Sequence, residues 1–171
     1  LFYVFVYTIW LKRKTPQNIV IGGAAGALPP VIGWTIATNS LTFEPITFFL
    51  IIFFWTPSHF WALSLYKSDD YKKAKIPMLP LTNGIESTKI NIFIYSLMMI
   101  PVIVFPFTID FVGLTFLIPA LILTFYYNFL CYELLKFKKS KFNPKVAKAI
   151  FGYSILYLFL IFVLFLIDKI V

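Results

Sequence analysis

Long apolar runs alternate with short polar segments along this chain. Five runs of about 20 residues cover positions 18–37, 46–66, 90–109, 112–135 and 146–167. A helix rises about 1.5 Å per residue, so about 20 residues cross the roughly 30 Å of hydrocarbon in a bilayer. The runs are continuous rather than alternating, which disfavours membrane strands. The pattern predicts an all-α, polytopic transmembrane helix bundle.

A shorter apolar run occupies residues 1–11. About 11 residues cannot cross a bilayer, which needs about 20. We therefore expect the chain to begin inside a span, with N-terminal residues missing, and residues 1–171 to form one membrane domain.

Composition supports a membrane protein. Hydrophobic residues make up 60% of the chain, the mean hydropathy is +0.87, and only 13% of residues are charged. A soluble domain carries about a quarter charged residues, so lipid must solvate most of this surface. The single cysteine, Cys131, lies in an apolar run. It excludes an internal disulfide and is expected to be a small buried hydrophobe.

Basic residues collect at alternate ends of the predicted spans. If the spans alternate in direction, one side of the membrane receives 14 of the 15 lysines and arginines and the other receives only Lys169. The positive-inside rule makes the basic side cytoplasmic, so we expect the basic loops in the cytoplasm. The excess of Lys over Arg and the abundant Ile are typical of an AT-rich bacterial genome, so we expect a bacterial inner membrane. The net charge of +8 is therefore a topology signal, and we expect no nucleic-acid partner.

The first complete span is rich in small residues. Gly22 and Gly26 form a GxxxG pattern, which in lipid allows helices to approach closely. The alternative is that these glycines make room for a bulky ligand. Pro29 and Pro30 are predicted to kink or break this same helix.

The most informative segment is 56–80, and its histidine is the only one in the chain. His59 lies about 10 Å before the cytoplasmic end of its helix. If the helix continued past Tyr66, at 100° per residue His59 would share a face about 60° wide with three other polar side chains. These are Tyr66, Asp70 and Lys73. His59 is either a site residue or a buried structural histidine.

Asp69 and Asp70 form the only adjacent acidic pair in the chain. Mg²⁺ prefers carboxylate ligands and commonly bridges them to a diphosphate. Lys72 and Lys73 could neutralise that diphosphate. The alternative is an ordinary solvated loop over 67–75.

A second polar cluster covers residues 7–18, also at the cytoplasmic face. Lys12 and Arg13 could hold a diphosphate, Tyr7 could donate a hydrogen bond to it, and Asn18 closes the cluster. The alternative is a set of topology-determining charges with an aromatic belt. The aromatic side chains around His59, such as Trp55, could line a pocket for a flat macrocycle or a polyisoprenoid. They could equally face lipid.

Two stretches resemble a known family. They are YTIWLKRKTPQNIVIGGAAGALPPVIGW at 7–34 and FWTPSHFWALSLYKSDDYKKAKIPMLP at 54–80. Both closely resemble the heme O synthases, the protoheme IX farnesyltransferases of the UbiA prenyltransferase superfamily. The resemblance implies nine transmembrane helices around a cavity, of which this chain supplies the end of the fourth through the ninth. It also implies farnesyl transfer from farnesyl diphosphate to a vinyl group of heme B, giving heme O for heme–copper oxidases.

The resemblance also implies site residues. The second Asp-rich motif of the superfamily, which binds Mg²⁺ and diphosphate, matches Asp69 and Asp70. The general DxxxD pattern would place its first position at Tyr66, so this chain departs from it and the number of metal ions is left open. A Tyr and Lys motif matches Tyr7 and Lys12, with one extra residue of spacing that leaves Lys12 and Arg13 as alternatives. The first Asp-rich motif is absent, so this chain alone is expected to be inactive.

Other functions remain open. A UbiA-type enzyme with another acceptor, a membrane transporter or channel, and an assembly subunit would each use a helical bundle. The absence of an internal repeat and the position of the acids at the inner face disfavour a transporter. Expected partners are membrane lipid, heme B, farnesyl diphosphate and a heme A synthase or terminal oxidase assembly.

Overall fold

A computed structural model describes residues 5, 15–40, 42–136 and 144–170. Tyr7, Lys12 and Arg13 lie outside the described residues. The helices are, in chain order, α1 Asn18–Gly26, α2 Leu28–Thr38, α3 Glu44–Tyr66, α4 Ser68–Lys73, α5 Leu79–Thr82, α6 Gly84–Thr108, α7 Leu114–Lys136 and α8 Pro144–Ile170.

Five helical segments are long and apolar enough to cross a membrane. They are α1 with α2, α3, α6, α7 and α8. The five predicted spans are therefore confirmed, and the chain is a multi-pass, all-α membrane protein.

The start of α6 differs from the prediction. The helix begins at Gly84 rather than near residue 90, so Lys89 lies inside α6 and not in the loop. Its side chain is buried, and its ammonium group lies 2.9 Å from the carboxylate of Glu86 one turn earlier. Lysine and glutamate at i and i+3 support a helix, and this pair extends α6 into the polar segment that hydropathy assigned to a loop.

The first span is broken, as its prolines predict. α1 ends at Gly26, Ala27 leaves the regular helix, and α2 begins at Leu28. Pro29 and Pro30 have no amide hydrogen to donate to a preceding turn. The interruption therefore falls immediately before them.

Four long helices form a closed ring. α3 packs against α6 and α8, while α7 packs against α6 on one side and α8 on the other. α1 and α2 pack on α3 outside the ring. The large side chains buried inside include Trp61, Tyr127, Phe116 and Tyr157. Cys131 is also buried, as predicted.

Polar side chains link the helices inside the ring. Tyr127 of α7 donates to Ser58 Oγ of α3 at 2.8 Å, and Ser96 of α6 donates to Asn128 of α7 at 3.1 Å. Such bonds contribute about 0.6 kcal/mol each in a membrane bundle. At the other end of the ring, the Asp168 carboxylate of α8 accepts hydrogen bonds from the amides of Gly113 and Phe116, at 3.0 and 3.1 Å.

Candidate functional site

The polar stripe required a helix that continues past Tyr66, and this condition is not met. α3 ends at Tyr66, Lys67 adopts φ −109° and ψ 22°, and a separate helix α4 begins at Ser68. Acidic residues stabilise the first turn of a helix, so Asp69 and Asp70 favour a new start at this point. The polar stripe from His59 to Lys73 is therefore divided between two helices.

α4 carries the acidic pair and the two lysines that the sequence singles out. Asp69 and Asp70 are exposed in its first turn, and Lys72 and Lys73 are exposed in its last turn. The Asp70 carboxylate lies 3.3 Å from the ammonium group of Lys67. Both groups of this pair are exposed, so it contributes about 0–1 kcal/mol and leaves the carboxylate able to change partners.

The fit of a metal ion depends on these two carboxylates. Among the described residues, no group of three or more His, Cys, Asp or Glu side chains is arranged to hold a metal ion. Mg²⁺ is usually bound by one or two protein carboxylates together with water and substrate phosphates. Two accessible carboxylates beside two lysines fit that mode, and they do not fit an all-protein metal cage.

Two tyrosines connect α4 to the bundle. Tyr66 is half-buried, and its ring meets the edge of Phe151 with centroids 5.9 Å apart. Tyr71, also half-buried, escaped the sequence analysis. Burial raises the pKa of the Tyr71 phenol, and the neighbouring Tyr66 and Asp70 raise it further. Tyr71 therefore remains a neutral hydrogen-bond donor beside the acidic pair at physiological pH.

His59 lies deeper, between two aromatic rings. Trp55 stacks on one face with centroids 4.2 Å apart, and Phe151 of α8 stacks on the other at 4.6 Å. Its Nδ1 is 2.6 Å from Ser154 Oγ, also on α8. The Trp55 indole N–H donates to the backbone oxygen of Ser154 at 2.9 Å. His59 is therefore held by α8 as much as by its own helix.

A groove of about 300 Å³ opens between α1 and α3, next to this histidine. Its lining is mostly apolar and consists of Ile19, Gly22, Gly23, Gly26, Ile52, Trp55, Thr56 and Phe60. Trp55 and Phe60 also contact the ring of His59. The groove and the histidine thus share two aromatic walls.

The glycines of α1 differ in their surroundings, and the difference bears on the two interpretations of the GxxxG pattern. A Cβ at Gly23 would lie 3.0 Å from Thr56 Cγ2, so this glycine permits the close approach of α1 to α3. A Cβ at Gly26 would have no atom within 4 Å among the described residues. Gly23, which lies between the residues of the pattern, makes the packing contact, while Gly26 leaves open space along the groove.

The second predicted cluster is described only at its end. Asn18 is buried at the start of α1, and its backbone N–H donates to the backbone oxygen of Thr15 at 3.2 Å. Its neighbour Ile19 lines the groove. Because Tyr7, Lys12 and Arg13 are outside the described residues, their proximity to Asn18 stays a prediction.

The sequence analysis also missed Ser154 and Phe151. They lie more than 90 residues from His59, and hydropathy does not indicate which helices are neighbours. The available signal was Ser154 itself, a hydroxyl inside an otherwise apolar run of about 20 residues.

Comparisons with known proteins give matches over most of this chain. The profile of the UbiA prenyltransferase family matches residues 1–155. The protoheme IX farnesyltransferase of Pelagibacter ubique (strain HTCC1062) is 86% identical over 170 residues, covering 99% of this chain and 56% of that protein. The protoheme IX farnesyltransferase of Parvibaculum lavamentivorans is 51% identical, covering 98% of this chain and 53% of that protein. The chain spans about half the length of these curated relatives. No solved structure matches it.

Proposed function

This chain belongs to the UbiA prenyltransferase family, and on that premise we propose that the full-length protein is a protoheme IX farnesyltransferase. It transfers the farnesyl group of farnesyl diphosphate to a vinyl group of heme B and so makes heme O. The observation that carries this proposal is the 86% identity, over 99% of this chain, to a relative that bears that name.

The diphosphate binds at α4. Asp69 and Asp70 hold Mg²⁺, and Lys72 and Lys73 contribute positive charge to the same anion. When bound, Mg²⁺ neutralises negative charge on the diphosphate as it leaves. The same diphosphate is bound by Tyr7, Lys12 and Arg13. Tyr66 and Tyr71 position α4 against the bundle.

The transfer reaction needs no oxidant or reductant. The bond between C1 of the farnesyl group and the diphosphate oxygen breaks, and the diphosphate leaves with the electron pair. The vinyl group attacks C1, and water adds to the resulting carbocation with loss of a proton. The protein excludes water until the new carbon–carbon bond has formed, and the apolar groove beside Trp55 provides such surroundings.

The acceptor lies near His59. This histidine is buried in the bundle, whereas the acidic pair is exposed in the first turn of α4. This separation supports a charged diphosphate at the membrane surface and an apolar acceptor within the hydrocarbon. The concentration of basic residues on that side favours a cytoplasmic site in a bacterial inner membrane. The product serves a heme A synthase or a terminal oxidase.

A test uses the full-length protein in membranes, supplied with heme B, farnesyl diphosphate and Mg²⁺. Extracted hemes are analysed by chromatography and mass spectrometry for wild type, Asp70→Ala and Asp110→Asn. Asp110 is a matched control, because it lies at the opposite membrane face and has a φ of 55° that asparagine tolerates.

We expect wild type and Asp110→Asn to produce hydroxyethylfarnesyl heme, and Asp70→Ala to lose at least about a hundredfold in rate. Full activity in Asp70→Ala would remove this carboxylate from the site. A folded, inserted wild type that makes no product from heme B would contradict the proposed acceptor and favour another one. A wild type that also failed to cleave farnesyl diphosphate with any acceptor would contradict the enzyme and favour a transporter.

A further inference from the structure

A pocket of about 290 Å³ opens where α3 begins and α8 ends, at the end of the bundle opposite to α4. Its inner surface is apolar throughout, and it is lined by Trp34, Phe48, Phe111, Phe165, Leu166 and Lys169. Most of these aromatic rings contact one another, with centroids 5.1 to 6.0 Å apart. Lys169 therefore contributes its aliphatic stem to the pocket, and its charge lies outside the apolar surface.

The ammonium group of Lys169 lies at the edge of this pocket. It sits 4.5 Å from the centroid of the Phe111 ring and donates to the backbone oxygen of Phe111. An ammonium group has three donors, and the Lys169 side chain is exposed and forms no ion pair among the described residues. It can therefore donate to a further acceptor beside the apolar surface.

Buried polar atoms at the same end of the bundle lack hydrogen-bond partners among the described residues. They include the indole nitrogen of Trp34, which is a donor, and Oε2 of Glu44, which is an acceptor. Glu44 is the first residue of α3, one turn before Phe48 of the pocket, and its carboxylate interacts electrostatically with Lys169. Because buried polar groups are nearly always paired, these atoms call for an occupant that carries both an acceptor and a donor.

The charges at this end favour a zwitterionic occupant over an anionic one. Among the described residues, three acids face one base there, namely Glu44, Asp110 and Asp168 against Lys169. The Asp168 carboxylate already accepts hydrogen bonds from two backbone amides. A single phosphate can pair with Lys169, whereas the surplus of carboxylates repels a second negative charge and attracts a cation.

We propose that this end of the bundle binds a phospholipid with a primary-amine headgroup. One acyl chain occupies the apolar pocket, the phosphate accepts from Lys169, the ammonium donates to Glu44, and a lipid oxygen accepts from the Trp34 indole. Tryptophan at the ends of membrane helices is typical of the interface where headgroups lie. The site lies at the opposite end of α3 from Asp69 and Asp70, so it is independent of the proposed reaction.

The test measures lipid binding to the delipidated full-length protein in detergent by native mass spectrometry. Three lipids with identical acyl chains are titrated: phosphatidylethanolamine, phosphatidylcholine and phosphatidylglycerol. Phosphatidylcholine keeps the phosphate and the positive charge but has no N–H donor, and phosphatidylglycerol has no positive charge. The variants are Lys169→Gln, Lys169→Arg and Glu44→Gln. Lys148→Gln is the matched control, because Lys148 is an exposed lysine near the other end of α8.

We expect wild type to bind phosphatidylethanolamine about tenfold more tightly than phosphatidylcholine, because only the primary ammonium can donate to a carboxylate. Glu44→Gln should abolish this preference and strengthen the binding of phosphatidylglycerol. Lys169→Gln should weaken the binding of all three lipids by about tenfold, since each carries a phosphate. Lys169→Arg should retain binding, and Lys148→Gln should leave every affinity unchanged.

Several outcomes would overturn the proposal. Equal affinities for phosphatidylethanolamine and phosphatidylcholine, or a preference that survives Glu44→Gln, would exclude the amine contact. Equal losses in Lys169→Gln and Lys148→Gln would indicate general attraction to charge. A wild type that retains no lipid would mean that water or another part of the full-length protein fills the pocket. Circular dichroism verifies the fold of each variant, and Lys169→Arg separates the loss of charge from a loss of structure.

Discussion

The contact between α1 and α3 at Gly23 suggests a sharp test of the packing. Gly23 of α1 faces Thr56 of α3, and a Cβ added to the glycine would lie 3.0 Å from Thr56 Cγ2 and 3.2 Å from its Cβ. Most Cβ contacts are longer, so in Gly23→Ala the side chain of Thr56 must give by a few tenths of an ångström. Thr56 is restrained, because its hydroxyl donates to Ile52 O at 2.6 Å.

The expected cost follows from this geometry. Adding a methyl group to a well-packed contact typically costs about 1–3 kcal/mol. Replacing glycine by alanine inside a helix recovers up to about 1 kcal/mol through helix propensity. We therefore expect a net loss of about 1–2 kcal/mol for Gly23→Ala. Unfolding of the full-length protein in mixed detergent micelles, followed by circular dichroism, measures this difference.

Two further variants make the interpretation specific. Gly26→Ala is the control, because its added Cβ meets nothing within 4 Å among the described residues; it should be neutral or slightly stabilising. Thr56→Ser removes the methyl group in closest contact and keeps the hydroxyl, so it should restore much of the stability lost in Gly23→Ala. If Gly23→Ala proved as stable as Gly26→Ala, or if Thr56→Ser gave no recovery, the packing argument would be refuted.

Three further predictions concern polar groups. Asp168→Asn should cost about 0.5–2 kcal/mol in unfolding experiments, because an amide retains one acceptor oxygen and loses the charge that faces the amides of α7. Tyr127→Phe should cost about 0.6 kcal/mol and at most about 1.7, through loss of its bond to Ser58. Burial raises the pKa of Tyr71 in the folded state above 10.0, so the stability it contributes is fully present below pH 10 and is lost as the pH rises through the folded-state value. The fall in unfolding midpoint between pH 9 and 11 should be smaller in Tyr71→Phe.

Each of these predictions has a control. Lys169→Gln changes a charge next to Asp168 without removing the acceptor, and an equal loss in both variants would indicate a general charge effect. Combining Tyr127→Phe with Ser58→Ala should cost less than the sum of the single variants, and simple additivity would show that the two hydroxyls are not coupled. Identical pH profiles for wild type and Tyr71→Phe would mean that the phenol titrates equally in both states.

Features determined by neighbouring residues were predictable from the sequence. Hydropathy located five spans because a helix needs about 20 apolar residues to cross a bilayer, whatever its neighbours are. The break before Pro29 followed from the missing amide hydrogens. The acidic pair and the two lysines of α4 were also identified, because charge is visible in the sequence.

Features that depend on contacts between distant helices were not predictable. One residue, Lys67, leaves the helical conformation, and this separates His59 from the acidic pair. The GxxxG pattern indicated a close approach, but it did not reveal that Gly23 makes the contact. Ser154 bonds to a histidine 95 residues earlier, and nothing in a single sequence reports which spans will be adjacent.

The contact between α3 and α8 closes the ring, and it has a consequence for biogenesis. During synthesis α3 emerges first, and α8 emerges after α6 and α7, so this contact can form only when the other three sides of the ring are available. His59 receives both Phe151 and Ser154 from α8. Before α8 docks, the imidazole has neither its second stacking partner, Phe151, nor its hydrogen-bond partner, Ser154. The orientation of this histidine is thus a late product of assembly.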